Sequence, residues 1–324
     1  MHRIRIPHTD LDVSRIACGC MRLGGTWDDT PISAADRAAA ASLLEAACDE
    51  GLTLFDHADI YCRGKSEDVF GEWLHQRPRM RDRLVLQTKV GIRFAGEPDA
   101  VTPGRYDFSY AHIVTSVEGC LRRLRTDRVD LLLLHRPDAL VEPDEVARAF
   151  ADLARAGKVR HFGVSNHTAA QIDLLRRHVD QPLVVNQLEL SLWHRALVEE
   201  GLVFNTAAGA AAGPTGGTLD YCRRHDILVQ AYSPLAKGRR WDAADGGRGA
   251  PPLTALAERL AAEAGVTRDA IALAWLLRHP AGLQPVIGTR TPGRLRACCA
   301  ADRVSLGRDQ WYALLAAARG EALP

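Results

Sequence analysis

Short apolar runs recur along this chain, separated by longer stretches in which apolar residues return at helical spacing. Runs that are apolar at every position suit parallel strands buried on both faces, and the stretches between them suit amphipathic helices. The pattern predicts strands near 16–20, 52–56, 84–89, 129–134, 159–164, 183–188, 227–232 and 285–288. It predicts helices near 35–50, 66–77, 110–124, 142–156, 168–178, 217–225, 254–278 with a break at Gly265, 292–301 and 308–319. Ahead of these, Arg3–Ile6 and Leu11–Ser14 flank the turn His8-Thr9-Asp10 and read as a β-hairpin. Eight strand–helix units predict an α/β protein, a single (β/α)8 TIM barrel over 1–324 with an N-terminal β-hairpin cap and long loops at its C-terminal face.

Polar residues punctuate the ends of those runs. Leu52-Thr53-Leu54-Phe55 stops at Asp56, Leu84–Thr88 stops at Lys89, and Val129–Leu134 stops at His135. Tyr61 follows Asp56 on the next loop. In a parallel barrel the C-terminal strand ends converge, so these four groups are expected at one spot. A tyrosine hydroxyl, with an ordinary pKa of about 10, is a poor acid at neutral pH, and a neighbouring ammonium is expected to lower that value. Lys89 supplies the ammonium, Asp56 keeps it charged, and His135 is left to orient a substrate oxygen. Residues 205–217 and 238–252 are rich in small residues and read as loops on the same face; Lys237-Gly238-Arg239-Arg240 is placed to meet an anion.

Composition narrows the choice. A net charge of +1 without a basic run argues against nucleic acid and membrane surfaces. No apolar stretch reaches the roughly 18 residues that span a bilayer, and Met-His-Arg-Ile-Arg-Ile has no signal-peptide core, so a cytoplasmic protein is expected. The eight cysteines are expected to be reduced apolar fillers and no metal site is predicted. Lysine is rare beside arginine, which draws notice to Lys65, Lys89, Lys158 and Lys237.

Several ordered segments resemble the aldo-keto reductase family: Phe55-Asp56-His57-Ala58-Asp59-Ile60-Tyr61, Val129–His135, Gly157–Asn166, Asn186-Gln187 and Ala231-Tyr232-Ser233-Pro234-Leu235. The wording Asp-His-Ala-Asp-Ile-Tyr and His-Arg-Pro-Asp points toward its bacterial YdhF-type branch. The resemblance implies reduction of an aldehyde or ketone to an alcohol by NADPH, with NADH possible. Tyr61 would be the general acid, Lys89 and Asp56 would tune it, and His135 would position the carbonyl. By the same resemblance Ser165, Asn166 and Gln187 would hold the nicotinamide carboxamide and Tyr232 would stack on its ring. Met21, Asp56, Ser233, Leu235, Lys237, Gly238, Arg239, Gly288, Thr289, Arg290 and Arg294 complete the implied cofactor contacts. Gly288 stands where many members carry a lysine for the 2′-phosphate, leaving that contact to Arg290 and Arg294. Cys298 replaces a polar residue near the adenine.

Met21, Trp27, Cys62 and Trp193 are candidate pocket walls for a small-molecule carbonyl substrate. His57 and His161 read as satisfied packing histidines, Ser165-Asn166 as a helix cap before Thr168 as well as a cofactor site, and Arg136 as the ion-pair partner of Asp138. Other functions fit less of the sequence. A metal-dependent hydrolase barrel would need His57 and Asp59 to face inward with His135 and His161, and a Schiff-base lyase would need an uncharged Lys89. An NADPH-binding regulatory subunit with little turnover keeps the same motifs. A monomer or simple homo-oligomer is the default.

Overall fold

The computed structural model of the chain describes residues 1–206, 216–236, 241 and 251–324. It opens with an antiparallel hairpin, β1 (Arg3–Arg5) and β2 (Asp12–Ser14), with Ile4 opposite Val13. Then come β3 (Ala17–Gly19), β4 (Leu54–Asp56) and β5 (Val85–Val90). A two-residue hairpin, β6 (Ile92–Arg93) with β7 (Arg105–Tyr106), follows β5 and was not foreseen from the apolar pattern. The remaining strands are β8 (Val129–Leu134), β9 (Val159–Ser165), β10 (Leu183–Glu189), β11 (Leu228–Tyr232) and β12 (Gln284–Ile287). Strands β3, β4, β5, β8, β9, β10, β11 and β12 pair in parallel in that order, and β12 returns to β3 to close the barrel.

Helices connect them much as the spacing predicts, with α1 (Ala34–Asp49), α2 (Lys65–His75), α3 (Tyr110–Leu124), α4 (Pro143–Arg155) and α5 (Ala169–Arg176) in the first half. Side-chain caps start several of them: Ser33 accepts from Asp36 N, Ser109 from His112 N, and Thr168 forms a capping box with Gln171. The α5 cap is therefore Thr168 itself. The Ser165 hydroxyl donates instead to Gln187 O at 2.8 Å, so the expected cap role of Ser165-Asn166 falls away. An additional helix, α6 (Ala196–Val203), follows β10 and precedes the expected one at Thr218–Arg224. The stretch predicted over 254–278 with a break at Gly265 forms two helices, Pro251–Ala264 and Arg268–Leu277, and Gly265 between them takes a φ of 62°. Among the described residues no helix is long and apolar enough to cross a membrane.

Two apolar clusters hold the barrel. Ile6, Leu11 and Val13 of the opening hairpin pack with Ala17, Leu54, Val85, Leu131, Leu133 and Val286, so the hairpin plugs the barrel floor. The other strand faces, with Phe55, Leu86, Leu132 and Phe162 among them, pack outward against the helices. At Gly163 a Cβ would meet Leu133 Cδ2 and Val185 O, both at 2.7 Å, so only glycine lets β9 sit between its neighbours. With the floor filled, the C-terminal rim is where polar groups gather.

Candidate active site

Asp56 ends β4, Lys89 lies near the end of β5, and His135 follows β8; β4, β5 and β8 are successive strands of the barrel. After Asp56 the chain turns tightly, with Tyr61 N donating to Ala58 O at 3.1 Å, and the phenol is carried back over the barrel mouth. Lys89 is 0% exposed. Its Nζ donates to Asp56 Oδ1 at 2.7 Å, Asp56 Oδ2 at 2.8 Å, His57 O at 2.8 Å and Tyr61 Oη at 2.9 Å. All four predicted residues thus meet at one point, and the Tyr61 and His135 rings stand edge to face with centroids 5.9 Å apart.

The protonation states follow from burial and charge. Burial pulls the Lys89 ammonium down, but Asp56 and Tyr61 outweigh it and the net movement is upward, so the lysine is a cation. Burial pushes the Tyr61 hydroxyl up to about 12 against the downward pull of Lys89. This corrects the expectation of a lowered tyrosine pKa: desolvation exceeds the help from the neighbouring charge, and the Tyr61 hydroxyl is neutral at ordinary pH. Burial, then Lys89 and Arg136, drives His135 well below the usual imidazole range, so it is uncharged. Its Nδ1 is buried without a partner among the described residues.

The other half of the rim carries the hydroxyl and amide groups. Ser165 on β9 lies in register with Gln187 on β10. Asn166, with a φ of 61°, donates through Nδ2 to Ser165 Oγ at 2.9 Å and to His135 O at 3.2 Å, and its Oδ1 accepts from Tyr232 Oη at 2.9 Å. Gln187 Nε2 donates to Asp56 Oδ1 at 3.0 Å, joining the amide half to the charged half. Ser233 has a φ of 50°, and Leu235 packs half-buried on the core. Beyond β12, Gly288 is exposed with open space where a Cβ would sit, and Thr289 Oγ1 accepts from Thr291 N. Arg290 and Arg294 are exposed and pair with Asp36 at 2.8 Å and Asp269 at 3.2 Å. Lys237, Gly238 and Arg239 lie outside the described residues, as does most of the two expected loops.

Of the expected pocket walls, Trp27 is exposed with its ring centroid 6.4 Å from that of Tyr61, and Met21 is exposed nearby on the same loop. Cys62 is different: it is fully buried, and its thiol meets Met21 O at 3.3 Å and Gly25 O at 3.6 Å, so it ties the loop down rather than lining a pocket. Trp193 is half-buried and stands edge-on against Trp241 at 4.8 Å. Lys65 bridges Thr26, Asp28 O and Thr30 O, a structural tie for the loop that carries Trp27.

Two further readings change. Arg136 makes no ion pair with Asp138; it reaches over the barrel mouth to Tyr232 Oη at 3.4 Å, while Asp138 accepts from Phe108 N and Leu140 N. His57 packs on Phe70 of α2, centroids 4.5 Å apart, but neither ring nitrogen has a partner among the described residues. It is a packing histidine and an unsatisfied one, with burial taking its pKa to about 3. Asp59 lies close to the Glu67 and Arg123 charges, and burial followed by Glu67 raises its carboxyl to about 8. With His57 turned outward, the inward grouping required by a hydrolase barrel does not form. His161, by contrast, meets Asp10 Oδ1 at 3.0 Å as a satisfied side chain. Cys298, which stands in place of a polar residue of the family, is buried. Sequence reasoning missed Gln87 and Gln230, buried below Asp56; their signal was an amide inside otherwise apolar runs, Leu86-Gln87-Thr88 and Val229-Gln230-Ala231.

The molecule is thus a closed parallel barrel with a lysine-bridged Asp/Tyr pair and a histidine at its C-terminal rim. Residues 15–318 match the model of the aldo/keto reductase family, and the chain belongs to that family. It is similar to the 6-dehydroglucose reductase of Agrobacterium fabrum, 36% identical over 322 residues and covering 99% of each chain. It is 37% identical over 283 residues to the oxidoreductase YdhF of Escherichia coli, covering 87% of this chain and 88% of that one, in line with the expected branch. Among solved structures, an aldo/keto reductase from Klebsiella pneumoniae in complex with NADP and acetate superposes with a TM-score of 0.72 at 27% identity, covering 97% of this chain and 93% of that one.

Proposed function

We propose that the protein reduces a small aldehyde or ketone to the alcohol with NADPH as reductant, and that Tyr61 is the general acid. The observation that carries this reading is the Lys89 ammonium bonded at once to the Asp56 carboxylate and the Tyr61 hydroxyl oxygen. Because Nζ donates into Tyr61 Oη, the phenol's own proton is left to point into the cleft.

The donor set fits the cofactor chemically. Hydroxyl and amide groups of Ser165, Asn166 and Gln187 match a carboxamide, the Tyr232 ring offers a flat apolar face, and the exposed guanidinium groups of Arg290 and Arg294 suit a phosphate. NADP in the Klebsiella relative supports the same choice. When bound, the reduced nicotinamide supplies the hydride that reaches the carbonyl carbon. Tyr61 gives its proton to the carbonyl oxygen as negative charge builds there, and Lys89 stabilises the tyrosinate left behind. Asp56 keeps Lys89 charged, and the neutral His135 has an N–H to offer the same oxygen without becoming a competing acid.

The Agrobacterium relative makes a sugar aldehyde the first substrate class to assay, beside a general probe such as 4-nitrobenzaldehyde. NADPH is titrated by protein fluorescence, then oxidised in stopped flow with either aldehyde. Prompt oxidation by the native chain, abolished in Tyr61→Phe with NADPH binding kept within about three-fold, is the expected result. Undiminished turnover in that variant would remove Tyr61 from the role.

A further inference from the structure

Below Asp56 the barrel is polar, where barrels of this kind usually stack branched apolar side chains. Gln87 of β5, Gln187 of β10, Gln230 of β11 and Gln284 of β12 are all buried. Strand register sets Asp56 opposite Gln87, Gln187 opposite Gln230, and Gln230 opposite Gln284. Two amide nitrogens then bridge two oxygens. Gln87 Nε2 donates to Asp56 Oδ1 at 2.6 Å and to Gln230 Oε1 at 2.8 Å, and Gln187 Nε2 donates to the same two atoms, each at 3.0 Å. The four groups close a ring across the barrel, and each amide nitrogen spends both hydrogens in it.

The carboxylate dictates every orientation in this ring. Asp56 accepts only, so both nitrogens must face it, and Gln230 must present its oxygen to them. The Gln230 nitrogen is thereby turned down to Gln284 Oε1 at 2.9 Å, and Gln284 Nε2 ends the chain on Ser14 O at 2.7 Å. Gln87 Oε1 is buried without a partner among the described residues, so that amide is held by its two nitrogen bonds alone.

We infer that Gln230 is a positioning residue: its oxygen holds Gln87 and Gln187 against Asp56, and through Asp56 it fixes the Lys89 ammonium under Tyr61. Gln230 touches neither Tyr61 nor Lys89 by hydrogen bond, so its effect passes through the shared Asp56 Oδ1. The inference rests on the reductase reading for its kinetic consequence, though its geometric content does not.

The test pairs Gln230→Met, which removes the acceptor at similar volume, with Gln284→Met, which cuts the lower link and leaves the ring whole. In Gln230→Met, kcat for 4-nitrobenzaldehyde should fall about ten-fold or more while KM and the NADPH Kd stay within about three-fold; in Gln284→Met all three stay within about two-fold. The second readout needs no turnover. Among the six tyrosines, labelled at Cζ with 13C, the Tyr61 signal is assigned by Tyr61→Phe and should move in Gln230→Met but not in Gln284→Met. Equal kcat losses in the two variants, or an unmoved Tyr61 signal, would overturn the inference. Absence of turnover in the native chain would strike the reductase reading, while the Tyr61 signal would still decide the role of the ring. Should Gln230→Met not fold, Gln87→Met deletes one bridge; it is expected to give a smaller kcat loss and a smaller Tyr61 displacement, and no change in either would overturn the inference.

Discussion

Replacing Asp56 with asparagine tests the charge pair on which the site depends. Asp56 Oδ1 accepts from Lys89, Gln87 and Gln187, so an asparagine must place its oxygen there. Its nitrogen then takes the position of Oδ2, which faces Lys89 Nζ at 2.8 Å, and donor meets donor. The fully buried ammonium keeps His57 O and Tyr61 Oη but loses its counter-charge. Breaking a buried pair from one side costs about 3–5 kcal/mol, because the remaining charge is left uncompensated. Asp56→Asn should therefore lose about that much stability at pH 7, measured by guanidinium unfolding. Lysine gives the sign of the pH dependence. In the native chain the folded Lys89 value lies above the unfolded one of about 10.4, so its contribution is full below that pH and is lost only as pH rises through the folded value. In the variant, burial acts without Asp56 and the folded value drops below the unfolded one. The unfolded chain then binds the extra proton, and stability rises with pH through the window between the two values, by at most about 1.4 kcal/mol per pH unit. The variant should thus regain stability as pH rises toward the unfolded lysine value of about 10.4, while the native chain does not. A loss under about 1 kcal/mol, or parallel pH profiles, would refute the reasoning.

Other outcomes follow from single groups. With Tyr61 at about 12 and His135 held well below the usual imidazole range, kcat for carbonyl reduction should be level from about pH 6 to 9; an inflection near 6.5 would mean that His135 titrates during turnover. Arg294→Ala should weaken NADPH by about ten-fold and NADH little, read by fluorescence titration, and equal losses would remove the arginine from any 2′-phosphate contact. His57→Leu takes two unpaired nitrogens out of a buried apolar setting and should raise stability by about 1 kcal/mol in urea unfolding; a loss of that size would show that the imidazole has a partner in solution.

The barrel was legible because its signal is local. Most of the barrel strands are largely apolar runs, and the observed ranges fall within a few residues of those read from the pattern, as at the strand Val129–Leu134 and the helix Arg308–Arg319. Three of the four candidate residues, Asp56, Lys89 and His135, stood out for a related reason: each is a polar group at or just past a strand end that nothing in the run explains, while Tyr61 was found on the loop after Asp56. What failed involved partners distant in sequence. Arg136 has Asp138 two places away, yet backbone amides occupy that carboxylate and the guanidinium reaches Tyr232. His57 alternates out of the barrel as expected, but whether its nitrogens find partners depends on α2, whose facing residue is Phe70. Helix α6 and the β6–β7 hairpin sit in loops, where the apolar period that marked the other elements is short or absent.

The sign of the Tyr61 perturbation shows how these levels interact. From sequence, a lysine beside a tyrosine argues for a lowered pKa, and that pull is present in the structure. The same folding that delivers Lys89 to 2.9 Å also strips water from the phenol, and the second effect is the larger. For a proton donor this is the useful outcome: a tyrosine lowered toward 7 would spend part of its time ionised and unable to give a proton, whereas one near 12 is always loaded. In the proposed reaction the nearby ammonium acts on the tyrosinate formed as the proton leaves, and its attraction is strong because the site is buried. Asp56 holds Lys89, and the amides of Gln87 and Gln187 hold Asp56, so that charge is fixed within hydrogen-bond reach of Tyr61.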